Sequence, residues 1–166
     1  MAITIRDWAR SDSIVEVTEL LHDAYRPLGD MGLNYTAVDQ PADTTRRRIE
    51  RGRCVVAERD GRIVGTVTWY APRTLGHCSW YERPGVAVFG QFAVSSREQG
   101  AGIGSMLIAE VERRTRMEDA DELALDTAEP ARHLIDYYRR RGYRQVEIAQ
   151  WEGKTYRSVI MSKGLR

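Results

Sequence analysis

The sequence predicts an α+β (α/β) fold in which helices cover both faces of one mixed central sheet. Segments with helical and strand-like hydrophobic spacing alternate along the chain, and an apolar strand, a helix and a second strand follow one another near its centre. Two-residue turn signals mark hairpins on both sides of this unit. The 166 residues suit one core and contain no linker, repeat or low-complexity segment, so we expect a single domain over residues 1–166.

The first part of the chain predicts a strand, a helix and a loop. Residues 2–6 alternate apolar and polar side chains, as a short strand does. Ser13 and Glu16 form a capping box before apolar residues at helical spacing, which predicts a helix from about Ser13 to Tyr25. The segment from Pro27 to Pro41 is rich in Gly, Asp and Asn and is expected to be a long loop.

A second short helix and a hairpin follow. We expect Asp43 to cap this helix and Gly52 to end it. Two strand-like segments, Arg53 to Glu58 and Arg62 to Tyr70, flank Asp60-Gly61, which is a strong signal for a two-residue hairpin turn. These strands should form the antiparallel, N-terminal part of the sheet.

The centre of the chain predicts a parallel strand pair. Val86 to Val94 is apolar almost throughout, as a strand covered on both faces would be. A polar turn, a helix from about Gly102 to Met117 and a strand from Glu122 to Asp126 follow it, and such a unit is right-handed and parallel. A helix from Pro130 to Gly142 and a hairpin around Glu152-Gly153 complete the predicted fold.

Composition and charge narrow the functional class. The 25 Lys and Arg residues nearly balance the 24 Asp and Glu residues, which predicts no nucleic-acid partner. Arginine clusters at residues 46–48, 113–116 and 139–141 fall on predicted helices, where we expect solvated faces. The longest nearly apolar stretch, Gly85 to Val94, is too short to span a bilayer, and the N-terminus lacks the pattern of a secretory signal. We therefore expect a cytoplasmic protein without a membrane partner.

Neither histidine nor cysteine spacing indicates a metal site. The three histidines, His22, His77 and His133, lie far apart in the sequence and show no ligand-type spacing. The two cysteines, Cys54 and Cys78, belong to no CxxC pair and cannot form a disulfide framework. We expect no metal.

The most informative segment is Gln99-Gly100-Ala101-Gly102-Ile103-Gly104, between the predicted buried strand and the next helix. Glycines let backbone N–H groups approach an anion, and a helix N-terminus adds free donors and a favourable dipole. We expect this turn to bind a pyrophosphate. A P-loop would need a lysine after the glycines, and a dinucleotide fingerprint would need glycine at Ser105. The glycine pattern alone leaves open the alternative that this segment is a tight turn that binds nothing.

Two segments together carry a family resemblance. The pattern Q-x-x-G-x-G on Gln99, Gly102 and Gly104 resembles motif A of the GNAT superfamily of acyl-CoA-dependent N-acetyltransferases. The segment from Pro130 to Tyr143 resembles the superfamily's next helix, in which a tyrosine, here Tyr138, stands four residues before a Gly-aromatic pair. The order of elements over nearly the whole chain also agrees.

The chain departs from the family pattern in two places. Ser96 replaces a proline that is common after the strand, and Ala131 replaces an asparagine that often contacts CoA. The first change is mild because it falls in a turn. The second removes one expected contact and leaves the predicted fold intact.

The resemblance implies that acetyl-CoA, or a related acyl-CoA, binds where the two central parallel strands splay apart. Backbone groups left unpaired by the splay would bond the amides of the pantetheine arm. The implied pantetheine contacts are Phe92, Ala93 and Val94, and the implied pyrophosphate contacts are the N–H groups of Gln99, Gly100, Ala101, Gly102, Ile103, Gly104 and Ser105.

The resemblance also implies a catalytic acid. Tyr138 matches the family residue that protonates the departing thiolate, and a tyrosine is protonated at neutral pH. The adjacent Tyr137 is a second choice. Many relatives carry a glutamate near the position of Gln91, which cannot act as a base, so Glu82, His77 and a chain of water molecules all stay open for that role.

The implied activity is transfer of an acetyl group to a primary amine of a small molecule or peptide, by direct attack through a tetrahedral intermediate. A non-catalytic acyl-CoA sensor and a nucleotide-binding enzyme stay open as alternatives. A homodimer is expected by analogy alone. The segments 27–41 and 71–85 and the closing hairpin carry aromatic residues suited to an acceptor pocket, but they do not identify the amine.

Overall fold

The structure is a computed structural model that describes residues 2–76 and 78–166. Its strands are β1 (Thr4–Asp7), β2 (Arg53–Arg59), β3 (Arg62–Tyr70), β4 (Val86–Val94), β5 (Glu122–Ala128), β6 (Arg144–Ala149) and β7 (Ser158–Gly164). Its helices are α1 (Ile14–Asp30), α2 (Thr36–Asp39), α3 (Ala42–Arg51), α4 (Ile103–Met117) and α5 (Arg132–Arg139). The strands form one seven-stranded sheet in the order β1-β2-β3-β4-β5-β7-β6. The predicted mixed fold is confirmed.

Helix α1 begins as predicted and ends later. Ser13 caps it by accepting a 3.1 Å hydrogen bond from the Glu16 N–H. The expected loop from Pro27 is wrong at its start, because the helix continues through Pro27 to Asp30. Leu28 in this extra turn is buried against residues that follow β5, and this burial offsets the cost of a proline inside a helix.

The segment before β2 also differs in detail from its prediction. Part of the expected loop forms the short helix α2. The expected Asp43 cap is wrong, since Pro41 occupies the N-cap of α3 and Asp43 lies in the first turn, where an acid is also favourable. Gly52 ends the helix as predicted, and an added Cβ there would come within 2.4 Å of the Trp69 carbonyl oxygen.

The hairpin between β2 and β3 is confirmed. Asp60 and Gly61 have φ angles of 53° and 74°, so both turn residues adopt the left-handed conformation that a type I′ turn requires. The closing hairpin of β6 and β7 is confirmed as well, and β7 inserts between β5 and β6.

The central parallel pair of β4 and β5 is confirmed, and it is short. Its register runs from Val86 opposite Glu122 to Val88 opposite Ala124. Beyond these three pairs the two strands have no further mutual register within the described residues, so their C-terminal halves diverge. The gap between them is where the candidate site forms.

Helices pack on both faces of the sheet. Alternate residues of β2 belong to two separate hydrophobic clusters, one built with α4 and α5 and the other with α1 and α3. The part of the chain that the structure describes contains no helix long and apolar enough to cross a membrane.

Candidate active site

A cavity of about 550 Å³ opens between the diverging ends of β4 and β5 and reaches the start of α4. Its walls come from α1, from the turn before α4 and from α5. The predicted cofactor contacts that line it are Phe92, Ala93, Val94, Gln99, Gly100, Gly102, Ile103, Gly104 and Ser105. Ala101 is the predicted contact that the cavity lining does not include. The fold thus brings together segments that the sequence analysis selected separately.

A β-bulge interrupts β4 at the edge of this cavity. The register with β3 shifts between Thr66 and Thr68, and Gln91 opposite the shift has a φ of 47°. The Gln91 side chain is buried outside the cavity lining, and its Oε1 accepts a 2.7 Å hydrogen bond from Gln40 Nε2. Gln91 therefore belongs to a buried polar network outside the cavity.

The diverging strands present backbone groups to the cavity. Ser95 donates its N–H to β3 at 2.8 Å, so the backbone groups of Val94, one residue earlier, face the gap. The Val94 oxygen accepts a 3.3 Å hydrogen bond from Gln99 Nε2. Across the gap, the Ala128 N–H donates to the Tyr35 hydroxyl at 2.8 Å. A ligand that carries amides could pair with such groups between the strands.

Two tyrosines form the wall opposite α5. The Tyr25 hydroxyl donates a 3.0 Å hydrogen bond to the Phe92 oxygen, and the Tyr35 hydroxyl lies 2.9 Å from Thr127 Oγ1. Their ring centroids are 5.6 Å apart. Burial raises the pKa of both phenols, so they remain protonated and able to donate. Each tyrosine thus holds a different one of the two strands beside the gap.

The glycine turn before α4 has the geometry of an anion site. Gly100 and Gly102 have φ angles of 86° and 82°, and an added Cβ at either would meet no atom within 4 Å. Gly102 is the N-cap of α4, no side chain caps this helix, and its first turn contains no acid. The first-turn N–H groups therefore lie beside the cavity with the positive end of the helix dipole.

Arg141 extends this anion site and was not singled out from the sequence. It was expected on a solvated face, but its guanidinium lies in the cavity lining and donates from Nη2 to Ser105 Oγ at 2.8 Å. The same group lies 3.5 Å from the centroid of the Tyr137 ring, which holds it flat against α5. No carboxylate among the described residues pairs with Arg141, so its charge is available to a phosphate.

Tyr138 lies in the cavity wall, where its solvent-exposed fraction is 8%. Its ring packs against Phe89 and Phe92 with centroid distances of 6.1 and 6.5 Å. Burial is the largest cause that raises its pKa well above the ordinary value, so the hydroxyl stays protonated. Tyr137 lines the same cavity as Tyr138.

Asp126 is a second residue of the cavity that the sequence analysis did not select. It lies on β5 at the gap, lines the cavity, and its Oδ2 accepts a 2.7 Å hydrogen bond from the Tyr81 hydroxyl. Its side chain reaches solvent through the cavity, while its neighbours in β5 are buried and protein atoms crowd around the carboxyl group. Burial raises the pKa of this carboxyl, against the opposing effects of Tyr81 and Trp151. An acid directly after the apolar run Leu123-Ala124-Leu125, inside the strand, was the available signal.

Of the two predicted general bases, Glu82 is not brought to this site. Glu82 is exposed on the loop before β4 and does not line the cavity. His77 lies outside the described residues. The described part of the chain contains no group of three or more His, Cys, Asp and Glu residues that could hold a metal ion.

Comparisons with known proteins agree with this architecture. A sequence model of the acetyltransferase (GNAT) family matches residues 14–143. The chain is 33% identical over 158 residues to S-(2-succino)cysteine N-acetyltransferase of Bacillus subtilis (strain 168), covering 91% of this chain and 90% of that protein. It is 27% identical over 137 residues to S-alkylcysteine N-acetyltransferase of the same organism, covering 77% of this chain and 71% of that protein.

A solved structure supports the fold. The crystal structure of a GNAT family acetyltransferase from Elizabethkingia anophelis with acetyl-CoA bound superposes with a TM-score of 0.71. The superposition covers 98% of this chain and 97% of that one, at 16% sequence identity.

Proposed function

This chain belongs to the acetyltransferase (GNAT) family, and we propose that it transfers the acetyl group of acetyl-CoA to the primary amine of an S-substituted cysteine. The two curated relatives, which act on cysteine derivatives, support this choice of acceptor. The observation that carries the proposal is one cavity with an uncapped α4 N-terminus at one end and Asp126 and Tyr138 at the other.

The donor fits this cavity by the chemistry of its lining. Its pyrophosphate would accept hydrogen bonds from the first-turn N–H groups of α4, and Arg141 would neutralise part of the phosphate charge. Its pantetheine amides would pair with backbone groups of β4, among which Val94 faces the gap. In this arrangement the thioester lies near the bulge at Gln91.

The reaction forms a C–N bond and breaks a C–S bond, so one proton must leave the amine and one must reach the sulfur. Asp126 accepts the amine proton, directly or through one water molecule, and its raised pKa makes it a better base than an ordinary aspartate. Tyr138 gives its proton to the departing thiolate. A backbone N–H beside Phe92 stabilises the developing oxyanion, an effect worth about 3 kcal/mol in other acyl-transfer sites.

The experiment is an acetyl-transfer assay that measures release of the CoA thiol and the mass of the product. Acetyl-CoA would be offered with S-alkyl and S-carboxyalkyl cysteines, unsubstituted amino acids, polyamines and an N-terminal peptide. We expect turnover with S-substituted cysteines and an amide-linked acetyl group in the product. Binding of acetyl-CoA without turnover on any amine would instead favour an acyl-CoA sensor.

A further inference from the structure

Arg48 of α3 lies over β4 on the sheet face that α1 and α3 cover, although the sequence analysis placed it in a solvated cluster. It is partly buried, and its Nη2 lies 3.7 Å from the position that a Cβ on Gly90 would occupy. The absence of a side chain at Gly90 gives the guanidinium room to lie over the strand.

The strand register relates Arg48 to Asp126. Val88 is paired with Ala124, and two residues further along each strand come Gly90 and Asp126. Side chains two apart share a face, so Arg48 over Gly90 and the Asp126 carboxylate lie on the same face, one strand apart. Neighbouring strands are separated by about 4.8 Å, and here they diverge.

A buried polar network holds Arg48 in this place. Its Nη1 donates a 2.8 Å hydrogen bond to Gln40 Oε1. The Gln40 amide donates in turn to Gln91 Oε1 and Thr45 Oγ1, both at 2.7 Å, and its backbone oxygen is 2.8 Å from His22 Nε2. A network that fixes both ends of an amide orients the guanidinium that bonds to it.

This ordered guanidinium has no acidic partner among the residues that the structure describes, and Gln40 Oε1 is the acceptor of its hydrogen bond. Asp126, one strand away, forms its hydrogen bond with Tyr81 instead. Lys154 is a second cation whose charge acts on Asp126, but its Nζ already bonds to the Asn34 oxygen and Thr36 Oγ1. An arginine held in place with free N–H groups is suited to a planar carboxylate.

We propose that Arg48 binds the α-carboxylate of the acceptor, so that this enzyme selects amino acids and discriminates against amines that lack a carboxylate. The acceptor spans the space between the two strands, with its amine at Asp126 and its carboxylate at Arg48. This inference rests on the proposed function, and it adds a specificity residue that has no role in the chemistry of transfer.

The experiment compares three acceptors that share a side chain and differ at the carboxylate. These are S-methylcysteine, its carboxamide, and S-methylcysteamine, which lacks the group altogether. For the wild-type protein we expect kcat/KM to be about tenfold or more higher for the acid than for the other two. Arg48→Gln should lower kcat/KM about tenfold or more for the acid and leave it nearly unchanged for the other two.

Two further variants control for folding and for charge. Arg47→Gln removes a neighbouring exposed arginine, whose side chain bonds to Thr44 Oγ1, and should change no acceptor preference. Arg48→Lys keeps the charge and should retain part of the preference. The KM for acetyl-CoA should be the same in every variant, which reports on an intact donor site.

The possible results separate this inference from the proposed function. Equal wild-type kcat/KM for acid and carboxamide, or an equal loss for all three acceptors in Arg48→Gln, overturns the role of Arg48 while acetyl transfer stands. Absence of both acetyl-CoA binding and turnover overturns the proposed function and the role of Arg48 with it.

Discussion

Tyr81 donates a 2.7 Å hydrogen bond to Oδ2 of Asp126, and this contact joins the loop before β4 to the end of β5. Tyr81 is almost fully buried and stacks against Trp151 with ring centroids 6.3 Å apart. Tyr81 therefore holds the carboxylate, and Trp151 of the closing hairpin packs against Tyr81.

Asp126→Asn should lower kcat by a factor on the order of 10² to 10⁴, because an amide cannot accept the amine proton. The KM for acetyl-CoA should be nearly unchanged, since the pyrophosphate site lies at the other end of the cavity. The Asp126 side chain is open to the cavity, so the variant should melt close to the wild type near neutral pH. Steady-state kinetics and a thermal melt check both statements, and a kcat within twofold of wild type would remove Asp126 from the chemistry.

Tyr81→Phe should move the acidic limb of the kcat/KM profile to higher pH. The hydrogen bond from Tyr81 favours the ionised form of Asp126. Loss of this bond therefore raises the pKa of Asp126, which already lies above the ordinary value, still further. At a given acidic pH, less of the enzyme then carries the base form. The profile of kcat/KM against pH for both proteins checks this, and a limb that moves to lower pH would contradict it.

Tyr138→Phe should lower kcat on the order of a hundredfold while the affinity for acetyl-CoA stays nearly constant, because the hydroxyl acts on the leaving group. Tyr143→Phe is the matched control. Tyr143 is buried in the same aromatic cluster, 6.2 Å from Tyr138 by ring centroids, but its hydroxyl bonds to Glu112 and it does not line the cavity. Similar kinetic losses in the two variants would indicate a packing role for both.

Arg141→Gln should raise the KM for acetyl-CoA about tenfold, which is the expected loss of one charge-assisted contact to phosphate. The effect should shrink at high salt, because the interaction lies at the surface end of the cavity. Arg139→Gln removes a nearby arginine at the end of α5, which pairs with Asp136, and this variant should leave KM unchanged. Equal KM values for the two variants would exclude Arg141 from the donor site.

Local patterns predicted most of the fold. The Asp60-Gly61 turn, the Ser13 cap and the apolar strand β4 are encoded by neighbouring residues, and the structure agrees with each. The predicted end of α1 was wrong because Leu28 is buried by residues about a hundred positions away in the chain. A pattern of neighbouring residues does not reveal such a contact. These tertiary contacts stabilise the helix beyond Pro27, where a proline would ordinarily end it.

Only the part of the site that has a local sequence pattern was predicted. The glycine turn and Tyr138 belong to local sequence motifs, so the sequence analysis identified them. Their roles remain predictions. The sequence did not indicate that Asp126 and Arg48 are neighbours. The register of β4 with β5 and the glycine at residue 90 together place them on one face of the sheet. Pairing across the sheet is a long-range property, and one sequence alone does not specify it.

The central claim is that the glycine turn and the start of α4 bind the diphosphate of acetyl-CoA. Its test is isothermal titration calorimetry of acetyl-CoA into the wild type, Gly102→Glu and Gly61→Glu. Gly61 is a matched control because it has a φ of 74° and open space around its Cβ position, as Gly102 does, but it lies in the β2–β3 hairpin.

We expect saturable binding of about one acetyl-CoA per chain to the wild type and to Gly61→Glu, and no detectable binding to Gly102→Glu. The glutamate would put bulk and negative charge into the phosphate site. Wild-type affinity in Gly102→Glu, or no saturation by the wild-type protein, would contradict the account.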